Sequence, residues 1–504
     1  MRAFCIWLLT IWATAAATAA QLSRDAAWLR NEASHKESYY LNEKSREFLL
    51  NGGNIPDVPF DIGEAYAGLL PISSDPQESR KLYFWFMPSS NPLAVDEVTI
   101  WLNGGPGCSS LEGLFQENGP FLHQYGTFAP VRNMWSWTNL TNMIWVEQPV
   151  GTGFTQGSPN ITNQEELAAQ FLGFFQNFLD VFGLHRKKIY LTGESYAGKY
   201  IPYIADAMFK QNDTKYFDVQ GTLIYDPSIN DDDIMMNVPA VPFVDKWSGL
   251  FPFNSSFSKE IHSLANSCGH TSYLHEYLVY PPNGKLPPLT STNNASCNLA
   301  SAIKDAITYI NPCFNIYHVA TTCPVLWDPL GFPGSFQYVP DGARVYFNRS
   351  HVQQAINAPL TSWSECPRGR DTVFVDGIDT SPPPSYSVLP SVIERSKRTI
   401  IAHGDLDFIL MAQGTLLTIQ NMTWHGSQGF TAEPSDPLLV PYYYHADVPI
   451  SSLAGAGVMG KHRTERGLTY AELFLTGHMG PQYSPSASYR LVEFMLGRID
   501  DLSS

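Results

Sequence analysis

Residues 188–209, KIYLTGESYAGKYIPYIADAMF, pass from an apolar, β-rich run to a helical pattern with only a tight turn between them. Ser195 falls at the turn, just past the end of its strand, with the acid Glu194 beside it. The same texture recurs along the chain. KLYFWFM (81–87), VTIWLNGG (98–105), NMIWVEQP (142–149), QGTLIYD (220–226), RTIIAHGD (398–405) and YAELFLTGH (470–478) are short apolar runs bounded by Gly, Pro or Asp and read as buried strands. Helical patterns lie between them, most clearly QEELAAQFLGFFQNFLDVFG (164–183), which stops at Gly183. Continuous apolar strands alternating with helices predict a mostly parallel sheet covered on both faces.

From about Ser228 to Gly342 the pattern changes: four cysteines and several Pro, Gly and Asn clusters, but little strand signal. This reads as a partly helical, disulfide-containing cap inserted into one core, so the chain divides into residues 1–20, core 21–227, cap 228–342 and core 343–504. A content of 44% hydrophobic and 15% charged residues fits a packed globular protein and excludes a disordered or collagen-like one.

MRAFCIWLLTIWATAAATAA (1–20) has Arg2 before an apolar run and small residues at Ala17 and Ala19, the pattern of a signal peptide. Removing it takes Cys5 and leaves six cysteines, an even set suited to disulfides in an oxidising compartment. Asn139, Asn160, Asn212, Asn254, Asn294, Asn348 and Asn421 each begin an Asn-x-Ser/Thr sequon, which predicts glycosylation and surface loops. The C-terminal RLVEFMLGRIDDLSS shows no anchor signal, so a secreted or vacuolar product with no membrane association after cleavage is expected. A net charge of −16 without a basic cluster argues against nucleic acid as a partner.

Strand, sharp turn and helix around Gly193-Glu194-Ser195-Tyr196-Ala197 form the nucleophile elbow of α/β-hydrolases, with Ala in place of the last Gly. In that fold the triad runs Ser, then Asp or Glu, then His, each partner just after a later strand. Asp405 and Asp407 follow one such strand, and His478 comes directly off the last. Spacing does not choose between the two acids, and His403 precedes both.

LNGGPGCSSLEGLF (102–115), WVEQPVGTGF (145–154), GESYAGKYIP (193–202), GDLDFI (404–409) and GHMGP (477–481) together resemble the serine carboxypeptidases, in order and across most of the mature chain. The resemblance implies an α/β-hydrolase fold with an inserted cap and an exopeptidase that removes one C-terminal residue from peptides and proteins without metal or organic cofactor. It assigns Ser195 as nucleophile, His478 as acid and base, Asp407 as its orienter, and the Gly105 and Tyr196 amides as the oxyanion hole. It also places Trp101, Asn103, Gly104 and Glu194 on the substrate's terminal carboxylate, with Glu117 hydrogen-bonded to Glu194.

That assignment resolves the awkwardness of Glu194. Carboxyls facing a carboxylate repel unless at least one keeps its proton, which predicts binding favoured by acid. By the same resemblance Leu410 lies near the acyl-side pocket and Met479 on the leaving-residue side, which implies a hydrophobic preference. The resemblance also implies a Cys108–Cys366 disulfide and leaves the four cap cysteines to pair among themselves, the nested pairs Cys268–Cys323 and Cys297–Cys313 being the expectation adopted here. Two other readings keep the fold: an acyltransferase that passes the acyl group to an alcohol, and a secreted glycoprotein without chemistry. Oligomeric state is not legible.

Overall fold

A computed structural model describes residues 39–289, 294–332, 339–366, 373–443 and 453–504. The leader at 1–20 lies outside them, and no helix among the described residues is long and apolar enough to cross a membrane. Their centre is a ten-stranded sheet. In chain order its strands are β1 (Tyr66–Pro71), β2 (Lys81–Met87), β3 (Glu97–Leu102), β4 (Asn142–Glu147), β5 (Lys188–Glu194), β6 (Asp218–Tyr225), β7 (Arg398–Gly404), β8 (Asp436–Val440), β9 (Gly457–Glu465) and β10 (Leu468–Leu473). In space they run β1-β2-β4-β3-β5-β6-β7-β10-β9-β8, parallel from β4 to β10 and antiparallel at both flanks.

Alternate residues of one strand serve opposite faces of the sheet. In β3, Val98, Ile100 and Leu102 join one hydrophobic layer and Trp101 the other. The first layer is closed by α1 (Gln164–Phe182), whose Phe171, Phe174, Phe175, Phe178 and Phe182 repeat at helical spacing against Phe84 and Phe86 of β2. Asn163 caps α1 by accepting from the Glu166 amide (2.9 Å), and Gly183 ends it in the left-handed region. Each predicted strand is present. The flanking β1, β8 and β9 carried no readable signal; β9, GVMGKHRTE, is half-buried and polar, so it presents no apolar run.

The chain between β6 and β7 contributes helices Ala240–Lys246, Ser255–Ser267 and Leu299–Ile310. Their Val244, Ile261 and Ile303 pack with Leu406 and Phe408 from the loop after β7. The same loop is clasped by backbone hydrogen bonds: Val319 N–H to Leu406 O (3.1 Å) and Phe408 N–H to Ile316 O (2.9 Å).

Disulfide Cys108–Cys366 joins the glycine loop after β3 to a segment 258 residues later. Closing so long a loop restricts the unfolded chain by about 5 kcal/mol. The other two pairings differ from expectation: Cys268 bonds Cys297, and Cys313 bonds Cys323. Helix Leu299–Ile310 lies between Cys297 and Cys313 and holds its ends about 18 Å apart. A disulfide needs Cα atoms within roughly 7 Å, so each cysteine pairs on its own side of the helix instead. Among the sequons, Asn421 also departs from the surface-loop expectation. It ends the buried helix Ala412–Asn421, and its Oδ1 accepts from the Leu286 amide (2.9 Å). The other six asparagines are exposed or half-buried.

Candidate active site

Ser195 is a non-glycine residue at φ +60°, directly after β5 and two residues before helix α2 (Ala197–Gln211). A left-handed nucleophile is strained, and its surroundings hold it there. The Ser195 N–H donates to Tyr225 O (2.9 Å), and its carbonyl accepts from Gly198 (2.9 Å) and Ser228 (2.9 Å). The turn tolerates no side chain on its neighbours: a Cβ on Gly193 would stand 2.1 Å from Leu102 O, and one on Gly104 would stand 2.5 Å from the Tyr196 nitrogen and 2.7 Å from Ser195 Cβ. The loop bearing Gly105 is thereby pressed against Ser195 and Tyr196. Among the described residues neither the Gly105 nor the Tyr196 amide has an acceptor.

His478, buried beyond β10, faces Asp407 Oδ2 with Nδ1 at 2.8 Å. Asp407 follows β7, and its Oδ1 accepts from the Ile409 amide (2.8 Å). The two acids left open by spacing are separated here: Asp405 lies 3.8 Å from Lys246 Nζ and takes no part in the His478 contact. His403 has a different place. It is fully buried, its Nε2 is 2.6 Å from Leu410 O and 3.4 Å from Asp226 Oδ1, and burial lowers its proton affinity, so it stays neutral with that N–H donated. Asp226, at the end of β6, accepts from the Gly404 amide (2.9 Å) and shares a hydrogen bond with Asp407. Burial, then the charge of Asp407, pushes the Asp226 carboxyl well above the usual range.

The second carboxyl group of residues gathers on Asn103. Asn103 Oδ1 accepts from the Trp101 indole (2.7 Å) and the Gly113 amide (3.2 Å), which turns its Nδ2 toward Glu194 (3.0 Å), Glu112 (3.2 Å) and Glu117 (3.4 Å). The Trp101 N–H is therefore committed to Asn103. Glu117 and Glu194 share a hydrogen bond. Burial, followed by the charges of Glu117 and Glu112, drives Glu194 well above the carboxylate range; burial pushes Glu117 up to about 8.

Of the two pocket candidates, Leu410 lies in the buried cluster of Ile229, Met235 and Trp424, and its amide also reaches Asp407 (3.3 Å). Met479 is buried beside His478 in sequence. Glu112, Asp226, Asp328 and Glu365 went unread. Glu112 sits inside LNGGPGCSSLEGLF and Asp226 ends a predicted strand, so each had a positional signal; Asp328 and Glu365 lie in turn-rich segments with none.

A parallel α/β sheet with a strained serine on its central strand and an Asp–His pair at the same edge defines a serine hydrolase of the α/β-hydrolase fold. Residues 56–498 match the family model described as serine carboxypeptidase, and the chain belongs to that family: it is a serine-type carboxypeptidase. It is 62% identical over 473 residues to a probable serine carboxypeptidase of Arthroderma benhamiae, covering 92% of this chain and 88% of the relative. It is 46% identical to serine-type carboxypeptidase F of Aspergillus niger, covering 92% and 89%. The crystal structure of Kex1, a prohormone-processing carboxypeptidase from Saccharomyces cerevisiae, shares the fold with a TM-score of 0.70 at 23% identity, over 91% of this chain and 98% of that one.

Proposed function

We propose that Ser195, His478 and Asp407 carry out peptide hydrolysis through an acyl-enzyme, and that the Glu117–Glu194 pair selects the free end of the substrate. The observation that carries this is the juxtaposition of a 2.8 Å Asp407–His478 pair with a proton-sharing carboxyl pair on the residue next to the nucleophile. His478 takes the Ser195 proton as the hydroxyl attacks the last peptide carbonyl, and Asp407 fixes the ring tautomer and steadies the imidazolium. The Gly105 and Tyr196 amides receive the oxyanion. His478 then gives its proton to the departing amine, and water repeats the sequence to free the acyl group.

The terminal carboxylate of the substrate is received at Glu194. A protonated Glu194 donates to it, a charge-assisted hydrogen bond, while Trp101 keeps the Asn103 amide turned toward the acids and Gly104 leaves room for close approach. This favours acidic surroundings, in keeping with a secreted or vacuolar enzyme that carries glycans at the accessible sequons. Segment 228–342 acts as the cap, since it seats the Asp407 loop. An apolar side-chain preference gains nothing from Leu410, whose side chain belongs to the core.

The test compares an N-blocked dipeptide with its C-terminal amide at acidic pH, alongside fluorophosphonate labelling. Labelling lost in Ser195→Ala and release confined to the free acid are expected; equal cleavage of acid and amide would remove the clamp from the mechanism.

A further inference from the structure

The two proposed oxyanion donors, the Gly105 and Tyr196 amides, sit on different loops, yet both are tied to one face of α2. Tyr196, Tyr200 and Tyr203 follow one another at helical spacing, so their rings line one side of the helix start. The rings of Tyr196 and Tyr200 meet edge-on with centroids 5.2 Å apart. Tyr200 is buried, and its hydroxyl accepts from the Gly107 amide (3.1 Å) in the loop that carries Gly105. That loop is tight: a Cβ on Gly105 would stand 2.7 Å from the nitrogens of Gly107 and Cys108. A displacement of Gly107 is therefore passed to Gly105.

The other donor is anchored further away in sequence. The Tyr196 hydroxyl donates to Asp379 Oδ2 (2.6 Å), a residue 183 positions later whose side chain is only 5% exposed. Asp379 also accepts from Gln164 Nε2 (2.8 Å) at the start of α1 and from the Ser381 amide (2.9 Å), and Lys199 Nζ stands 3.7 Å away. Burial works to raise the Asp379 carboxyl, but the Tyr196 hydroxyl, followed by Gln164 and Ser381, holds it below the usual range, so the bond to Tyr196 is charge-assisted. The loop bearing the acid is itself pinned, by Thr380 N–H to Thr162 O (2.9 Å) and by the Tyr203 hydroxyl to Pro382 O (2.8 Å).

What this anchoring controls follows from the peptide between Ser195 and Tyr196. Its carbonyl is taken up by the Gly198 and Ser228 amides, and in a trans peptide the N–H points the opposite way. The aim of that N–H still depends on the adjoining backbone torsions, and Ser195 is strained at φ +60°. A tyrosine fixed at both its backbone and its hydroxyl resists the rotation by which the turn would relax. Resting on the oxyanion-hole reading given above, we infer that Asp379 and Tyr200 are positioning residues of the reaction: Asp379 aims the Tyr196 amide through that residue's hydroxyl, and Tyr200 aims the Gly105 amide through Gly107. Their effect falls on the transition state, because only the tetrahedral oxyanion requires both donors at hydrogen-bond distance.

The measurement is steady-state kinetics on one blocked dipeptide, with an N-blocked amino aldehyde of the same acyl residue as inhibitor, whose adduct with Ser195 puts an oxygen where the oxyanion forms. Tyr196→Phe, which keeps the ring and removes one hydroxyl, Tyr200→Phe and Asp379→Ala are each expected to lower kcat about tenfold with KM within about twofold, and to raise the aldehyde Ki by the factor that kcat loses. Because Asp379 and the Tyr196 hydroxyl act through one bond, the double variant Tyr196→Phe/Asp379→Ala should lose no more than Asp379→Ala alone. Folded variants, checked by thermal melting, that keep wild-type kcat overturn the inference. So do variants that raise KM and leave kcat and the aldehyde Ki alone, the signature of rings that only pack or meet the substrate, and so does an additive double variant. If Asp379→Ala does not fold, Tyr196→Phe decides by itself. A wild type that binds the aldehyde no more tightly than the matching amino alcohol, which forms no adduct, would remove the oxyanion hole and its brace together.

Discussion

The pair Asp226–Asp407 behind His478 and the pair Glu117–Glu194 beside Ser195 are both two buried carboxyls joined by a hydrogen bond, yet their surroundings differ in kind. Asp407 faces an imidazole at 2.8 Å and accepts amides from Ile409 and Leu410, while burial and the neighbouring Asp407 push the Asp226 carboxyl well above the usual range, so the shared proton belongs on Asp226. At the clamp the only donor among the described residues is the shared amide of Asn103, and Glu112 adds a further carboxyl rather than a cation. There the proton is needed at the working face, on Glu194. Donor supply, and not burial, decides which carboxyl in a pair ionises, because all four are buried. One pair works by having lost a proton where it acts, the other by having kept it.

The largest effect tests the first half of that contrast. Asp407→Asn puts an amide where His478 needs an acceptor and should lower kcat by about 10⁴-fold, whereas Asp405→Asn, beside Lys246 rather than His478, should leave kcat within a few-fold. Steady-state kinetics on one blocked dipeptide decides it, and equal losses would dissolve the assignment.

The second half is tested by Glu194→Gln. A protonated donor is present below its titration and is lost as the pH rises through it; Glu117, its partner, is pushed up to about 8. Wild-type KM for a free-acid peptide is therefore expected to be flat in acid and to climb by about tenfold per pH unit above the pair's titration. The glutamine variant, which keeps a donor but cannot ionise, should show a KM that does not climb. A KM profile unchanged by the substitution assigns the titration elsewhere.

Stability should move in the same direction and less steeply. Burial raises Glu117 to about 8, Glu147 and Glu97 to about 7 and Asp405 to about 6. A folded-state value above the unfolded one contributes stability fully present below the unfolded value, about 4, and lost as pH rises through the folded value. Glu78, lowered to about 2 by Arg80, works oppositely and only in stronger acid. Tm is expected to be highest near pH 4 to 5 and to fall by roughly 5 °C toward pH 8; calorimetry showing a maximum at neutral pH would contradict the protonated state of these groups.

How far the sequence could be read follows from what each feature depends on. The parallel strands were legible because burial on both faces makes them continuous apolar runs, and the serine was legible because strand, turn and helix are contiguous. The choice of Asp407 over Asp405 came only through resemblance, since the discriminating partner, Lys246, lies in a distant helix. Cap disulfides failed because pairing depends on which end of helix Leu299–Ile310 each cysteine occupies, a three-dimensional fact. Asn421 shows that a sequon does not carry its own accessibility. Asp328 and Glu365 were invisible for the same reason: each gains meaning only when the fold brings it to Glu112.

The finest distinction between the two pairs is the role of Asp226. Its neighbours with charge or titration are His403, Asp405 and Asp407 on the β7 side, Glu194 on β5, and Tyr225 and Tyr470. Asp226→Asn keeps a donor toward Asp407, so kcat at acidic pH should stay within about threefold of wild type. The difference appears in base. When wild-type Asp226 ionises it can no longer donate to Asp407, and the repulsion between the two carboxylates works against the geometry in which Asp407 orients the His478 ring. Blocked amino-acid esters isolate this effect, because they carry no terminal carboxylate and bypass Glu194. On such an ester, wild-type kcat should decline at high pH while the Asn variant holds its plateau further into base. Identical alkaline limbs would mean that the Asp226 proton is not felt at His478, and the likeness between the two carboxyl pairs would then be one of geometry alone.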